Sequence, residues 1–302
     1  MDDANVRAGY RLLRRVGTAA FGEALRGAAV RASGQRDAGS NPVIAAAAAN
    51  PARYVQQYST TADHFLKVGF DARAMDRLLQ QANLPLWPLE RPVTLVLLVV
   101  PSAGGGARAV LEGERVPERI EVERAAQARG LPIGWPRESV DAARVRAMAA
   151  DGDTAAGAPA GSGGQAVLAG IGAGERVNWR FVQAGQSARA DGSLQDGVDL
   201  AADALAARYA PASTRGTAAI TARVGGIDDV KAYAGMLEYL KSLSLVRSVA
   251  VEEMSGGVVT LALEVRGDLE LLRRIAALDG RLGPAAPAGP EGGATVDFVY
   301  QP

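Results

Sequence analysis

The stretch Leu245–Ile275, LVRSVAVEEMSGGVVTLALEVRGDLELLRRI, decides the fold class. Val259, Leu261, Leu263 and Val265 alternate with smaller or polar residues, the period of a strand with one buried face. Leu245 to Glu252 reads as a strand before it, and Ser255-Gly256-Gly257 is turn chemistry for a hairpin. Asp268 stands where an N-cap belongs, and Leu271, Leu272 and Ile275 then recur at helical spacing. Working outward, Ile220, Ala222 and Val224 alternate in an earlier strand. Ile227, Val230, Tyr233, Leu237, Leu240 and Leu243 mark a helix. Val296, Phe298 and Tyr300 alternate in a last strand. The order β-α-β-β-α-β predicts a ferredoxin-like module over residues 211–302.

Upstream, the same reading gives two small mixed α/β units, residues 1–100 and 101–210, so the fold class is α/β in the broad α+β sense. Helices are expected at Thr18–Ala32, from Asn41-Pro42 to Asn50-Pro51, and after Asp71, with Met75, Leu78, Leu79 and Ala82 facing inward. Tyr54–Tyr58 and Phe65–Phe70 read as strands. The continuous apolar run RPVTLVLLVV (Arg91–Val100) predicts a strand covered on both faces. Pro117–Arg129 predicts a helix with Ile120, Ala125 and Ala128 among its apolar positions and Gly130 as C-cap. LPIGWP (Leu131–Pro136) reads as a short edge strand and Ser139–Ala149 as a helix. QAVLAGI, RVNWRFVQ and SARADG read as three antiparallel strands, closed by a helix over Ser193–Tyr209. Asp151–Gln165 and Pro284–Ala294 are low-complexity connections, and Ala210–Thr217 marks a boundary.

The chain of 302 residues balances 33 basic against 33 acidic residues and is 48% hydrophobic. A zero net charge argues against nucleic-acid binding by bulk charge. No aromatic stands on VVTLALEV, where RNA-binding sheets of this topology stack bases. With no cysteine and one histidine, thiolate chemistry and multi-histidine zinc sites are excluded. No apolar run is long enough to span a bilayer, and the polar N-terminus MDDANVRAGY holds no leader-like core, which by itself reads as cytoplasmic.

The remaining chemistry-bearing motifs read as structure. His64 follows Asp63 on adjacent strand positions, which face opposite ways, so the pair does not make a catalytic dyad. Gly170-Ile171-Gly172-Ala173-Gly174 precedes a strand rather than the helix a dinucleotide site needs, and is expected to be a hairpin turn. Asp151 and Asp153 lack the later ligands of a calcium loop. Asp228-Asp229 cap a helix. No cofactor is called for and no catalytic residue is assigned. Three residues stand as a candidate interaction surface: Trp87 and Arg91 in LPLWPLERP, and Trp135 in LPIGWP. A proline-flanked tryptophan either plugs a core edge or lines a groove for a ligand or partner.

Several runs resemble a family. RASGQRD (Arg31–Asp37), NPARYVQQY (Asn50–Tyr58), the segment from Lys67 to Val99, ARGLPIGWP (Ala128–Pro136), AVLAGI and DGVDLAADALAARYA (Asp196–Ala210) together resemble the proteobacterial family of unknown function numbered 2066, over residues 10–210. The resemblance implies a periplasmic cell-envelope protein with no established activity and no catalytic residues to carry over. The leader typical of such members is missing from this chain, and the region after ARGLPIGWP is shorter and less acidic. The expectation is a non-enzymatic interaction or assembly factor with a protein partner in the envelope and a capacity to homo-oligomerise. The alternative is a small-ligand sensor or transport accessory using the last module.

Overall fold

The computed structural model describes residues 18–60, 66–102, 104–151, 166–173, 176–211, 216–285 and 295–301. His64, Asp153 and most of the three connections Asp151–Gln165, Ala210–Thr217 and Pro284–Ala294 lie outside them. The described residues form a mixed α/β fold with three sheets.

The N-terminal unit begins with α1 (Thr18–Ser33). Asn41 caps α2 (Pro42–Ala49), its side chain accepting from Val43 N, and Pro42 starts the helix where its missing N–H costs nothing. β1 (Val55–Thr60) and β2 (Leu66–Phe70) form an antiparallel pair. Asp71 caps α3 (Ala72–Gln81), accepting from Ala74 N, and Met75, Leu78 and Leu79 face inward as their spacing predicts. These pack with Leu25, Ala29 and Ile44 in a core of their own.

β3 (Thr94–Pro101) anchors the central sheet. It lies between β4 (Ala107–Ala109) and β6 (Ala166–Ala173), and β5 (Ile133–Gly134) joins its first residues. β7 (Arg176–Gln183) and β8 (Gln186–Gly192) complete the sheet. β3 runs parallel to β5 and β6, and β6, β7 and β8 are antiparallel as expected. Val96, Leu98 and Val100 face a core shared with α4 (Pro117–Arg129) and α6 (Leu194–Tyr209). Leu97 and Val99 face α5 (Ala142–Asp151) on the other side. Burial on both faces explains the unbroken apolar run.

Two readings of this region are corrected. The inward stripe of α4 is Val122, Ala126 and Arg129, whereas Ile120 is among the exposed hydrophobics and Ala128 is exposed. Ala125, the third of the apolar positions, is partly buried against the same core. Gly170–Ala173 is not a turn but strand, paired with Arg176–Trp179. Gly170 and Gly197 both lie against the Trp179 indole, and a Cβ at either would overlap the ring.

The last sheet has the order β10-β11-β9-β13-β12. β9 (Thr217–Gly225) leads through α7 (Val230–Ser242) to β10 (Val246–Ser255) and β11 (Val258–Arg266). Asp229 and Asp268 cap α7 and α8 (Leu269–Ala276). Here the structure departs from the ferredoxin-like expectation. A helical crossover returns the chain parallel to the strand it left, so a strand following α8 directly would run against β9. Instead β12 (Leu282–Pro284) forms the outer edge, and β13 (Thr295–Tyr300) turns back beside β9 and parallel to it. Three residues including Gly283 and Pro284 are too few to carry a strand period. One cluster of buried apolar residues runs from Val96 through Leu205 and Tyr209 to Leu272 and Phe298, so the central and last sheets share a core.

Candidate functional site

The segment LPLWPLERP works as a strap between all three units. Trp87 N donates to Ala32 O at 2.7 Å and Leu86 N to Pro211 O at 3.4 Å. Arg91 Nη2 donates to Arg31 O at 2.8 Å, and Nη1 donates to Gly130 O. Glu90 accepts from Ser244 N at 2.8 Å and from Ser244 Oγ at 2.6 Å. The Trp87 ring is 2% exposed, with the Arg91 guanidinium 4.0 Å above its centroid. Burial pushes Arg91 down to about 10, with Arg31 adding to the effect and Glu90 opposing it. The guanidinium therefore stays charged at neutral pH. Trp87, buried, and Arg91, half-buried, act as a joint between units of the chain.

A second joint was invisible in the sequence. Arg129, at the end of α4, is 4% exposed and pairs with Asp199, which is 2% exposed, in α6. Its Nη2 also reaches Asp203 Oδ1 at 2.5 Å and donates to Gly34 O at 2.8 Å. Arg36 closes the cluster, 2.7 Å from Asp203 and 3.7 Å from Asp199. Two arginines and two aspartates neutralise one another and tie the loop after α1 to α4 and α6. Asp199 sits between Val198 and Ala201 in an apolar stripe, so periodicity gave no sign of its partner. Asp76 in α3 makes a third tie, 2.7 Å from Arg266 and 3.2 Å from Arg247. Desolvation raises the Asp76 carboxyl despite the attraction of Arg247.

Trp135, the third candidate, lies apart from Trp87 and Arg91. It is 8% exposed and lines a cleft of about 640 Å³ with Leu95, Leu97, Val140 and Met148. Arg119 stands 5.7 Å from its ring centroid. The Trp135 Nε1 is buried without a hydrogen-bond partner. Among the described residues no group of three or more acidic or histidine side chains is placed to hold a metal ion. No helix among them is long and apolar enough to cross a membrane.

The most open element is β10, a ten-residue strand at the sheet edge. Two irregularities in its pairing skip Arg247 and Glu252, so Val246, Val249, Val251 and Met254 all lie opposite the buried Val265, Leu263, Leu261 and Val259 of β11. These four side chains therefore continue the buried face of β11. Towards the far end that face is uncovered: Val251 is 43% and Met254 58% exposed.

Residues 14–88 match a family model described as Domain of unknown function (DUF8605). The match begins before α1 and ends beside the Trp87 plug, so it covers the N-terminal unit and only the first part of the strap. It overturns the expected resemblance to the family numbered 2066: the runs quoted for that family fall partly inside the matched segment, which belongs to a different model. The periplasmic expectation rested on that resemblance and is not carried further. No curated protein and no solved structure matches the chain.

Proposed function

We propose that this chain is a non-enzymatic association protein, and that it pairs with a second copy of itself along the edge of β10. The carrying observation is the exposed apolar continuation of β10. A strand edge offers a row of unpaired N–H and C=O groups that another strand can satisfy. Here the side chains are self-complementary. A two-fold axis through Ala250, perpendicular to the sheet, sets Val246 opposite Met254 and Val249 opposite Val251. The same axis sets Arg247 opposite Glu253 on the other face. Like residues meet in the apolar layer, opposite charges meet in the polar one, and each pair occurs twice, as an isologous interface requires. Cross-strand pairs of these kinds contribute roughly 0.2–1 kcal/mol each.

Acidic residues and bulges on an edge usually repel a stray strand. In this register Glu253 instead faces an arginine, so the device that excludes foreign strands favours the chain's own. Light scattering on the intact chain tests the reading. A dimer is expected that Val251→Lys converts to monomer, because the lysine would bring charge into the Val249–Val251 layer. A chain that stays monomeric at high micromolar concentration, or a Val251→Lys variant that dimerises as before, would overturn it.

A further inference from the structure

The open end of β10 carries an exposed sulfur, and we propose that Met254 is a reversible oxidation site through which hydrogen peroxide takes the β10 pair apart. This inference rests on the pairing proposed above. The chain has no cysteine, so its sulfur chemistry falls to five methionines. Met1 lies outside the described residues. Met75, Met148 and Met236 are buried, one in each of the three cores, while Met254 is 58% exposed. An oxidant in solution must reach the sulfur to react with it, so it meets Met254 before the other three.

The step transfers one oxygen atom. The Met254 Sδ attacks one oxygen of the peroxide, and an S–O bond forms as the O–O bond breaks. The proton of the attacked oxygen passes to the leaving one, which departs as water. Sulfur is oxidised by two electrons and the peroxide is reduced by two. The product is a polar sulfoxide, which a methionine sulfoxide reductase returns to the thioether. The consequence follows from position. Met254 lies opposite Val259 of β11, in the apolar layer with Val246, Val249 and Val251. The two-fold axis through Ala250 sets it against Val246 of the second copy, so one pair of chains covers two Met254 side chains. A sulfoxide oxygen in that layer finds aliphatic side chains beside it and loses its water. At about tenfold for each, two sulfoxides weaken association about a hundredfold.

The test treats dilute intact protein with hydrogen peroxide, locates the added oxygen by peptide mass spectrometry and measures molar mass by light scattering. Met254 is expected to gain its oxygen before Met75, Met148 or Met236. Protein stopped at that point is expected to be monomeric where untreated protein is a dimer, and treatment with the reductase to restore the dimer. Met254→Gln, which places a polar amide at the same exposed position, is expected to weaken association about a hundredfold with no oxidant present. Oxidation of the buried methionines as fast as Met254, or a Met254→Gln variant that associates as tightly as wild type, would overturn the proposal. A dimer that survives full oxidation of Met254 overturns this inference alone, whereas untreated protein that is monomeric overturns the β10 pairing and this inference with it.

Discussion

Replacing Arg129 by methionine probes the buried ion cluster most sharply. Methionine keeps much of the volume and the helix propensity, so the change removes charge and hydrogen bonds rather than shape. Three acceptors lose a donor: Asp199, Asp203 and Gly34 O. Asp203 is 46% exposed and keeps Arg36 at 2.7 Å, so it is rescued by water and by its remaining partner. Asp199 is not rescued, because Arg36 stands 3.7 Å away and the carboxylate is buried. Stranding one member of a buried pair costs about 3–5 kcal/mol. For a chain of this size each kcal/mol moves the melting temperature about 2 °C, so a fall of about 6–10 °C is expected. The double variant Arg129→Met with Asp199→Leu removes the stranded charge and is expected to recover most of the loss. Arg36→Ala, at the exposed end of the same cluster, should cost no more than about 1 kcal/mol. Thermal unfolding followed by circular dichroism and by tryptophan emission gives all three values. A single variant within 1 kcal/mol of wild type, or a double variant as unstable as the single, would refute the reasoning.

Two further outcomes follow from the packing and from Tyr239. Gly170→Ala forces a methyl into the Trp179 ring, which Gly197 also crowds; a loss of about 1–3 kcal/mol is expected, largely relieved by adding Trp179→Leu, and additive losses in that cycle would contradict the close contact. Burial, with the 2.9 Å hydrogen bond to Asp279 behind it, raises the Tyr239 phenol above its usual 10.0. The unfolded chain then ionises first as pH rises, so this contribution is full below about pH 10 and is lost above it as the folded phenol is approached. Tyr239→Phe should therefore lose stability less steeply than wild type between pH 10 and 12 in alkaline unfolding curves, and parallel curves would count against it.

What the sequence revealed was local. The caps Asp71, Ser193, Asp229 and Asp268 each take one backbone N–H three residues on, a contact set by spacing alone. Gly130 ends α4 in the left-handed conformation for the same reason. The double-sided burial of β3 and the alternation of β11 were also plain from residue type. What stayed hidden depended on partners distant in the chain. Arg129 is inside only because Asp199, seventy residues later, is there to meet it. Gly170 reads as a turn residue until the Trp179 ring is seen on top of it. β12 exists because β13 offers it an edge, and nothing in Leu282–Pro284 itself demands a strand. Trp87 and Arg91 stand out in the sequence as a candidate surface, but only the assembled strap shows that they tie units of the same chain together. The open face of β10 is likewise a statement about where α7 stops covering the sheet. The alternation around Ala250 is in the sequence, but its exposure is not.

The central claim is the β10 pairing, and one charge-reversal series tests it. Molar mass in solution would be measured by light scattering for wild type, Glu253→Arg, Arg247→Glu and the two together. Each single change sets like charges opposite each other twice across the two-fold axis, whereas the double change restores the pairing with its signs exchanged. The account predicts a dimer for wild type, a weakened dimer for each single variant and recovery in the double. Arg247 also holds Asp76 at 3.2 Å, so melting curves would confirm that the single variants remain folded. A monomeric wild type, or a double variant weaker than either single one, would contradict it.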